Sequence, residues 1–123
     1  MTVSVVTVDD QAVFRAAARA IIDATPGFQA IGEASNGLDA VRVVRELDPE
    51  LVLVDVRMPG MDGIETSRRL IAAHPRSVVV LISVEDMPNL PSAAASSGAV
   101  ELVRKQDLNR ATLTELWSRH GHS

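Results

Sequence analysis

The sequence predicts an α/β doubly wound fold, a parallel sheet whose strands are buried beneath helices. Two observations carry this. Short, nearly continuous apolar runs rich in β-branched residues recur at 3–8, 51–54, 78–82 and 99–103. Between them the apolar spacing becomes helical. A strand with one wet face alternates apolar and polar residues, whereas a strand covered on both faces reads as a continuous apolar run. Strict alternation of strand and helix then selects parallel units joined by right-handed crossovers.

Val3, Val5, Val6 and Val8 make the first strand. Val13, Phe14, Ala17, Ala18, Ile21 and Ile22 repeat at helical spacing until the Pro26-Gly27 pair stops that helix. A weaker run over 28–34 reads as an edge strand. Leu38, Val41, Val44 and Leu47 form the second helix, which ends at Asp48-Pro49 because proline disfavours helix in the residue before it. The strand over 51–54 follows. Ile64, Ser67, Leu70 and Ile71 form the third helix, stopped at His74-Pro75, and the strand over 78–82 comes next. The helical slot after that strand is poor. Pro88, Pro91 and Ser96-Ser97-Gly98 leave about two Ala-rich turns, starting near Pro91 where proline is tolerated at the first position. A short or irregular element is expected there. The 99–103 run is the last strand, and Leu108, Ala111, Leu113, Leu116 and Trp117 form the last helix.

The 123 residues fit one domain, 1–123, without a second domain of ordinary size. There is no cysteine, so neither disulfides nor a thiolate metal site is available, which suits a reducing cytosol. No apolar run approaches the roughly 18 residues of a membrane span, and residues 1–8 lack the basic start of a signal peptide. A cytoplasmic location without membrane partners is expected. The net charge is −4 and the basic residues are dispersed, with Arg68-Arg69 and Arg104-Lys105 as the adjacent pairs. Direct nucleic-acid binding by this chain is not expected, because it needs clustered cations against phosphate.

In an open α/β sheet, ligands bind beyond the carboxyl ends of the strands. Asp9-Asp10, Asp55 and Ser83 stand at three such ends, and Lys105 follows the last strand. Three carboxylates brought together repel one another unless a cation joins them. Mg²⁺ suits such a site, since it takes one or two carboxylates and keeps positions for water and phosphate oxygens. Asp10 and Asp55 are the expected direct ligands, with Asp9 acting partly through water. Asp9 or Asp10 would alternatively just cap the helix that starts near Gln11. Asp55 closes a buried apolar run, where a carboxylate is costly without a partner, and can attack phosphorus to give an aspartyl phosphate. Charge in such a transfer spreads over three oxygens, for which Mg²⁺, Lys105 and Ser83 are suitable partners. The loop Met58-Pro59-Gly60-Met61-Asp62-Gly63 would turn the Arg57 carbonyl toward the metal, with Asp62 capping the next helix.

These residues resemble the receiver domain of two-component response regulators over nearly the whole chain. The resemblance rests on Val-Asp-Asp at 8–10, Leu-Val-Asp-Val-Arg-Met-Pro-Gly-Met-Asp-Gly-Ile-Glu at 53–65, Leu-Ile-Ser at 81–83, and Gly-Ala at 98–99 leading to Lys105. It implies a flavodoxin-like five-stranded parallel sheet in the order 2-1-3-4-5 with helices on both faces. By the same resemblance Asp55 is the phosphoacceptor, Asp9 and Asp10 form the acidic pocket, Ser83 is the switch hydroxyl and Lys105 contacts the phosphoryl group. The implied donor is a phosphohistidine on a sensor histidine kinase or phosphotransfer protein, and the implied output is a downstream effector protein or domain. A homodimer is a further expected partner. The chain would not be an enzyme beyond its own phosphoryl transfer and dephosphorylation. The central motif, and Lys105 followed by Gln106-Asp107-Leu108, are closest in style to receivers that precede LuxR-type DNA-binding domains, though no effector domain is expected within residues 1–123.

Departures from the family pattern bear on output. Leu102 stands where an aromatic residue is usual, Val84 follows Ser83 where Ala or Gly is usual, and Gln106 replaces a common proline after Lys105. With the proline-bearing helical slot, these favour a second reading, a phosphorylation-independent interaction module. A Mg²⁺-dependent phosphatase would need an acid at position 57 and a cap over the substrate, and position 57 is Arg. Arg57 and Glu85 are expected to pair across the pocket mouth and slow hydrolysis. His74 suits a helix end. His120 and His122 lie in a polar tail, and Trp117 is expected to pack against the sheet or a partner.

Overall fold

The computed structural model describes residues 2–84 and 96–121. Its strands are β1 (Val3–Val8), β2 (Phe28–Ala34), β3 (Leu51–Asp55), β4 (Val78–Ser83) and β5 (Glu101–Arg104), all parallel in one sheet of order β2-β1-β3-β4-β5. The helices among the described residues are α1 (Ala12–Ala24), α2 (Gly37–Leu47), α3 (Gly63–Ala73) and α4 (Arg110–His120). This is the flavodoxin-like, doubly wound arrangement, and its strand order reverses between β1 and β3.

The continuous apolar runs serve two cores at once. Side chains alternate across a strand. Val5, Leu51, Leu53, Val78, Val80 and Ile82 therefore point to one face, where they pack with Ala18 and Ile22 of α1 and Leu113 and Leu116 of α4. Val6, Val8, Val52, Val54, Val79 and Leu81 point to the other, against Ala40, Val43 and Val44 of α2 and Leu70 of α3. Burying each such side chain contributes about 1.5–3 kcal/mol before entropy is counted.

Helix ends follow side-chain chemistry. Asn36, Asp62 and Asn109 are N-caps whose side chains accept from the backbone N–H of Asp39, Glu65 and Thr112, at 2.8, 2.9 and 2.9 Å. The Asp62 cap is the expected one. Asp48 ends α2 in the left-handed conformation, φ 52°, immediately before Pro49.

Two boundaries differ from the sequence reading. Leu108 does not belong to the last helix. A 3₁₀ turn, Lys105–Asp107, comes first, and α4 starts only after Asn109 because the Asn109 and Thr112 side chains tie that turn to the helix. Leu108 is nonetheless buried, which is why its spacing looked helical. The last strand runs over 101–104 rather than 99–103. The proline-bearing slot at Pro88 and Pro91 lies outside the described residues.

Gly63 opens α3 pressed against the end of β3, donating its N–H to the Val56 carbonyl at 2.8 Å. A Cβ there would stand 2.1 Å from the Asp55 carbonyl oxygen and 2.7 Å from Val56 Cα. Both are backbone atoms and cannot rotate away. Gly63→Ala is expected to lower stability by about 1–3 kcal/mol, as overpacking does, in a urea melt. An unchanged midpoint would mean the helix start yields freely.

Candidate functional site

Strand register assembles the site. Val8 pairs with Val54, so Asp9 and Asp55 emerge side by side from β1 and β3. Ile82 pairs with Asp55 and Ser83 with Arg104, which brings Ser83 and Lys105 to the same edge. A cleft of about 210 Å³ opens there, lined by Asp10, Gln11, Asp55, Arg57, Ser83, Val84 and Lys105. It is small enough to suit a phosphoryl group rather than an extended ligand.

One oxygen from each of Asp9, Asp10 and Asp55 lies within 4.8 Å of the others. The three differ in setting. Asp9 is fully buried, Asp55 is 7% exposed and Asp10 is exposed. Asp9 divides its oxygens. Its Oδ1 accepts from the Gln11 backbone N–H at 2.8 Å, while Oδ2 stands 2.6 Å from Lys105 Nζ. The N-cap of α1 is Gln11, with no side-chain cap, so neither Asp9 nor Asp10 caps the helix as the alternative reading had it; Asp9 Oδ1 closes a turn just before the helix instead. The Oδ2 contact lacks the angles of a hydrogen bond, so it is an ion pair between close charges. Lys105 Nζ is also 3.7 Å from Asp55 Oδ2.

Burial, followed by the negative charge of Asp9, pushes the Asp55 carboxyl up from 3.8 to about 6. The Lys105 ammonium and a hydrogen bond from the Arg57 backbone oppose the rise without cancelling it. The site is thus short of positive charge. All three donors are carboxylate oxygens, one of them is buried without a directional hydrogen bond, and Asp55 holds its proton too tightly for a simple surface acid. This set fits a hard divalent cation.

Ser83 is buried at the edge of the cleft, at 2% exposure, and Val84 lies on its rim at 57%. Leu102 is half-buried and packs against the core shared by α2 and α3. Trp117 packs against the opposite core, on the sheet. His74 caps α3 and pairs with Asp48 at 2.8 Å, and His120 pairs with Glu101 at 3.0 Å, so both serve helix ends away from the cleft. Glu85 and His122 lie outside the described residues, so the expected pairing of Arg57 with Glu85 does too.

The profile of the response regulator receiver domain matches residues 5–116. The chain belongs to that family. This receiver is 42% identical over 105 residues to "Protein-glutamate methylesterase/protein-glutamine glutaminase 5" of Myxococcus xanthus, a match covering 84% of the chain and 30% of the relative. It is 33% identical to "Response regulator GacA" of Pseudomonas aeruginosa, covering 84% of the chain and 48% of the relative. The chain thus spans less than half the length of these relatives. Among solved structures, the signal receiver domain of response regulator NarL from Mycobacterium tuberculosis superimposes with a TM-score of 0.86 at 29% identity, covering 96% and 94% of the two chains. The response regulator domain of Thermotoga maritima CheB does so with a TM-score of 0.80 at 30% identity, covering 97% and 93%. Likeness to LuxR-family receivers extends to one from Aurantimonas sp. SI85-9A1, with a TM-score of 0.87 at 26% identity, covering 97% and 84%.

The receiver also uses residues whose part in the site was not legible in the sequence. Arg15 donates from its guanidinium to the Asp9 carbonyl at 2.7 Å and to Glu33 of β2 at 3.0 Å, tethering the loop that carries the acidic pair. Phe14 places its ring 4.4 Å beneath Lys105 Nζ. Phe14 was visible only as part of an apolar helical stripe, and a lone Arg on a helix carries no signal of its target.

Proposed function

We propose that this receiver takes a phosphoryl group onto Asp55 from the phosphohistidine of a sensor kinase or phosphotransfer protein in a Mg²⁺-dependent reaction, and so switches a surface read by a downstream partner. The observation that carries the proposal is the Lys105 ammonium, 2.6 Å from Asp9 and 3.7 Å from Asp55, in the cleft that Ser83 also lines. An Asp55 oxygen forms the bond to phosphorus as the phosphorus–nitrogen bond to the donor imidazole breaks. Lys105 is near enough to Asp55 to neutralise charge growing on the transferred group, and the Ser83 hydroxyl can donate to another of its oxygens. Asp9, Asp10, Asp55 and the Arg57 carbonyl would hold Mg²⁺, which supplies further charge neutralisation when bound. Catalysis would be confined to the domain's own transfer and hydrolysis. A cytoplasmic setting, where such donors work, belongs to the same reading. No described helix is long and apolar enough to cross a membrane.

The test is intact-mass measurement after incubation with acetyl phosphate and Mg²⁺. One phosphoryl adduct is expected on the wild type and none on Asp55→Asn. The phosphorylation-independent module is favoured by Leu102, a branched aliphatic packed into the core, which has no ring to swing inward. Absence of adduct on the wild type, with no Mg²⁺ binding in a titration, would select it.

A further inference from the structure

The Lys105 ammonium stands at the acidic cluster with three neighbours around it. Asp9 Oδ2 is 2.6 Å away, Asp55 Oδ2 3.7 Å, and the centroid of the Phe14 ring 4.4 Å. The Asp9 contact supplies charge but not direction, since Oδ2 accepts no hydrogen bond of ordinary angles. An aromatic face carries the negative part of the ring quadrupole and draws an ammonium to a defined position over it. Phe14 lies in the first turn of α1, on the stripe with Ala18 and Ile22 that packs on the sheet. Core packing thus sets where the ring lies, and the Lys105 nitrogen rests over its face.

We infer that Phe14 is a positioning residue, whose ring face holds the Lys105 ammonium between Asp9 and Asp55 where a phosphoryl oxygen will arrive. This rests on the phosphoacceptor reading of Asp55. A ring that merely fills the top of the core would make the same apolar contacts without this role, so the test must change the quadrupole and keep the shape.

Site-specific incorporation of mono-, di- and trifluorinated phenylalanine at position 14 does so, leaving Phe28 natural. The maximal rate of adduct formation at saturating acetyl phosphate and Mg²⁺ is expected to fall stepwise, about 3- to 10-fold by the last member. The acetyl phosphate concentration for half-maximal rate should hardly move, and Phe14→Tyr should keep the wild-type rate. The ¹³Cε order parameter of Lys105, measured without any phosphodonor, should fall along the same series. Flat rates and flat order parameters would overturn the inference and leave Phe14 as packing. Should the wild type form no adduct, the phosphoacceptor reading is lost, and the order parameter alone decides whether Phe14 holds the lysine. Thermal melts across the series guard against a folding defect, which fluorination at constant shape should not cause.

Discussion

Lys105→Ala is expected to lower stability by about 3 kcal/mol at neutral pH without Mg²⁺, and to slow phosphoryl capture by roughly 10²–10³-fold with it. The first effect comes from Asp9. Its carboxylate is fully buried, and the Lys105 ammonium stands 2.6 Å from its Oδ2. Removing one member of a buried pair leaves the other without compensation, which costs far more than the pair contributes as a whole. Asp55 and Asp10 stand close by and add repulsion. Added Mg²⁺ should recover much of the lost stability, by binding the folded state alone, but not the rate. The measurement is a pair of urea melts, with and without millimolar Mg²⁺, beside adduct kinetics. An unchanged melt in the absence of metal would show that solvent screens Asp9 despite its burial.

Asp55→Asn should move stability the other way. The folded protein holds the Asp55 proton more tightly than the unfolded chain does, with its pKa raised to about 6 from 3.8. The folded state therefore binds more protons than the unfolded state between those values, and stability falls as pH rises through that window. Above about pH 6 the charged carboxylate is a standing cost. At roughly 1.4 kcal/mol per tenfold change in proton affinity, the cost is about 1–3 kcal/mol, the lower figure allowing for solvent at the cleft mouth. The amide carries no charge, so Asp55→Asn should be more stable than wild type at pH 7 by that amount. The gap should largely close as pH drops toward 4, where the folded wild type holds the Asp55 proton and the standing charge is gone. Chemical melts at pH 7, 5.5 and 4 check this. A gap that stayed constant with pH would trace the stabilisation to packing, not charge.

The elements were legible where one physical cause acts along the chain. Val52 and Leu53 are adjacent and both apolar because each faces a different core, and that pattern survives without knowing the neighbours. Even the edge strand over 28–34, with Gln29 and Glu33 in it, was marked by a weaker apolar run after the first helix. The final helix was misplaced at its start because Leu108 is buried by the fold while lying outside the helix. Periodicity reads burial, and burial is not helix. The start of α4 was set instead by Asn109, a cap whose signal is local and easily overlooked.

The site residues were legible as a set for a related reason. Asp9, Asp10, Asp55, Ser83 and Lys105 each sit at the end of a strand, and parallel strands must bring their carboxyl ends to one edge. Sequence by itself therefore determined which groups meet, and that they form an acid-rich site with one ammonium. Tertiary structure decided how they divide the work. It buried Asp9 and exposed Asp10, although the two are neighbours of identical chemistry, because successive residues leave β1 in opposite directions at the rim of the sheet. It also set Phe14 beneath Lys105 and Arg15 on the Asp9 carbonyl, joining α1 to chain segments far along the sequence. Such contacts depend on where two separately folded elements come to rest, and residue type and spacing along one of them do not encode that distance.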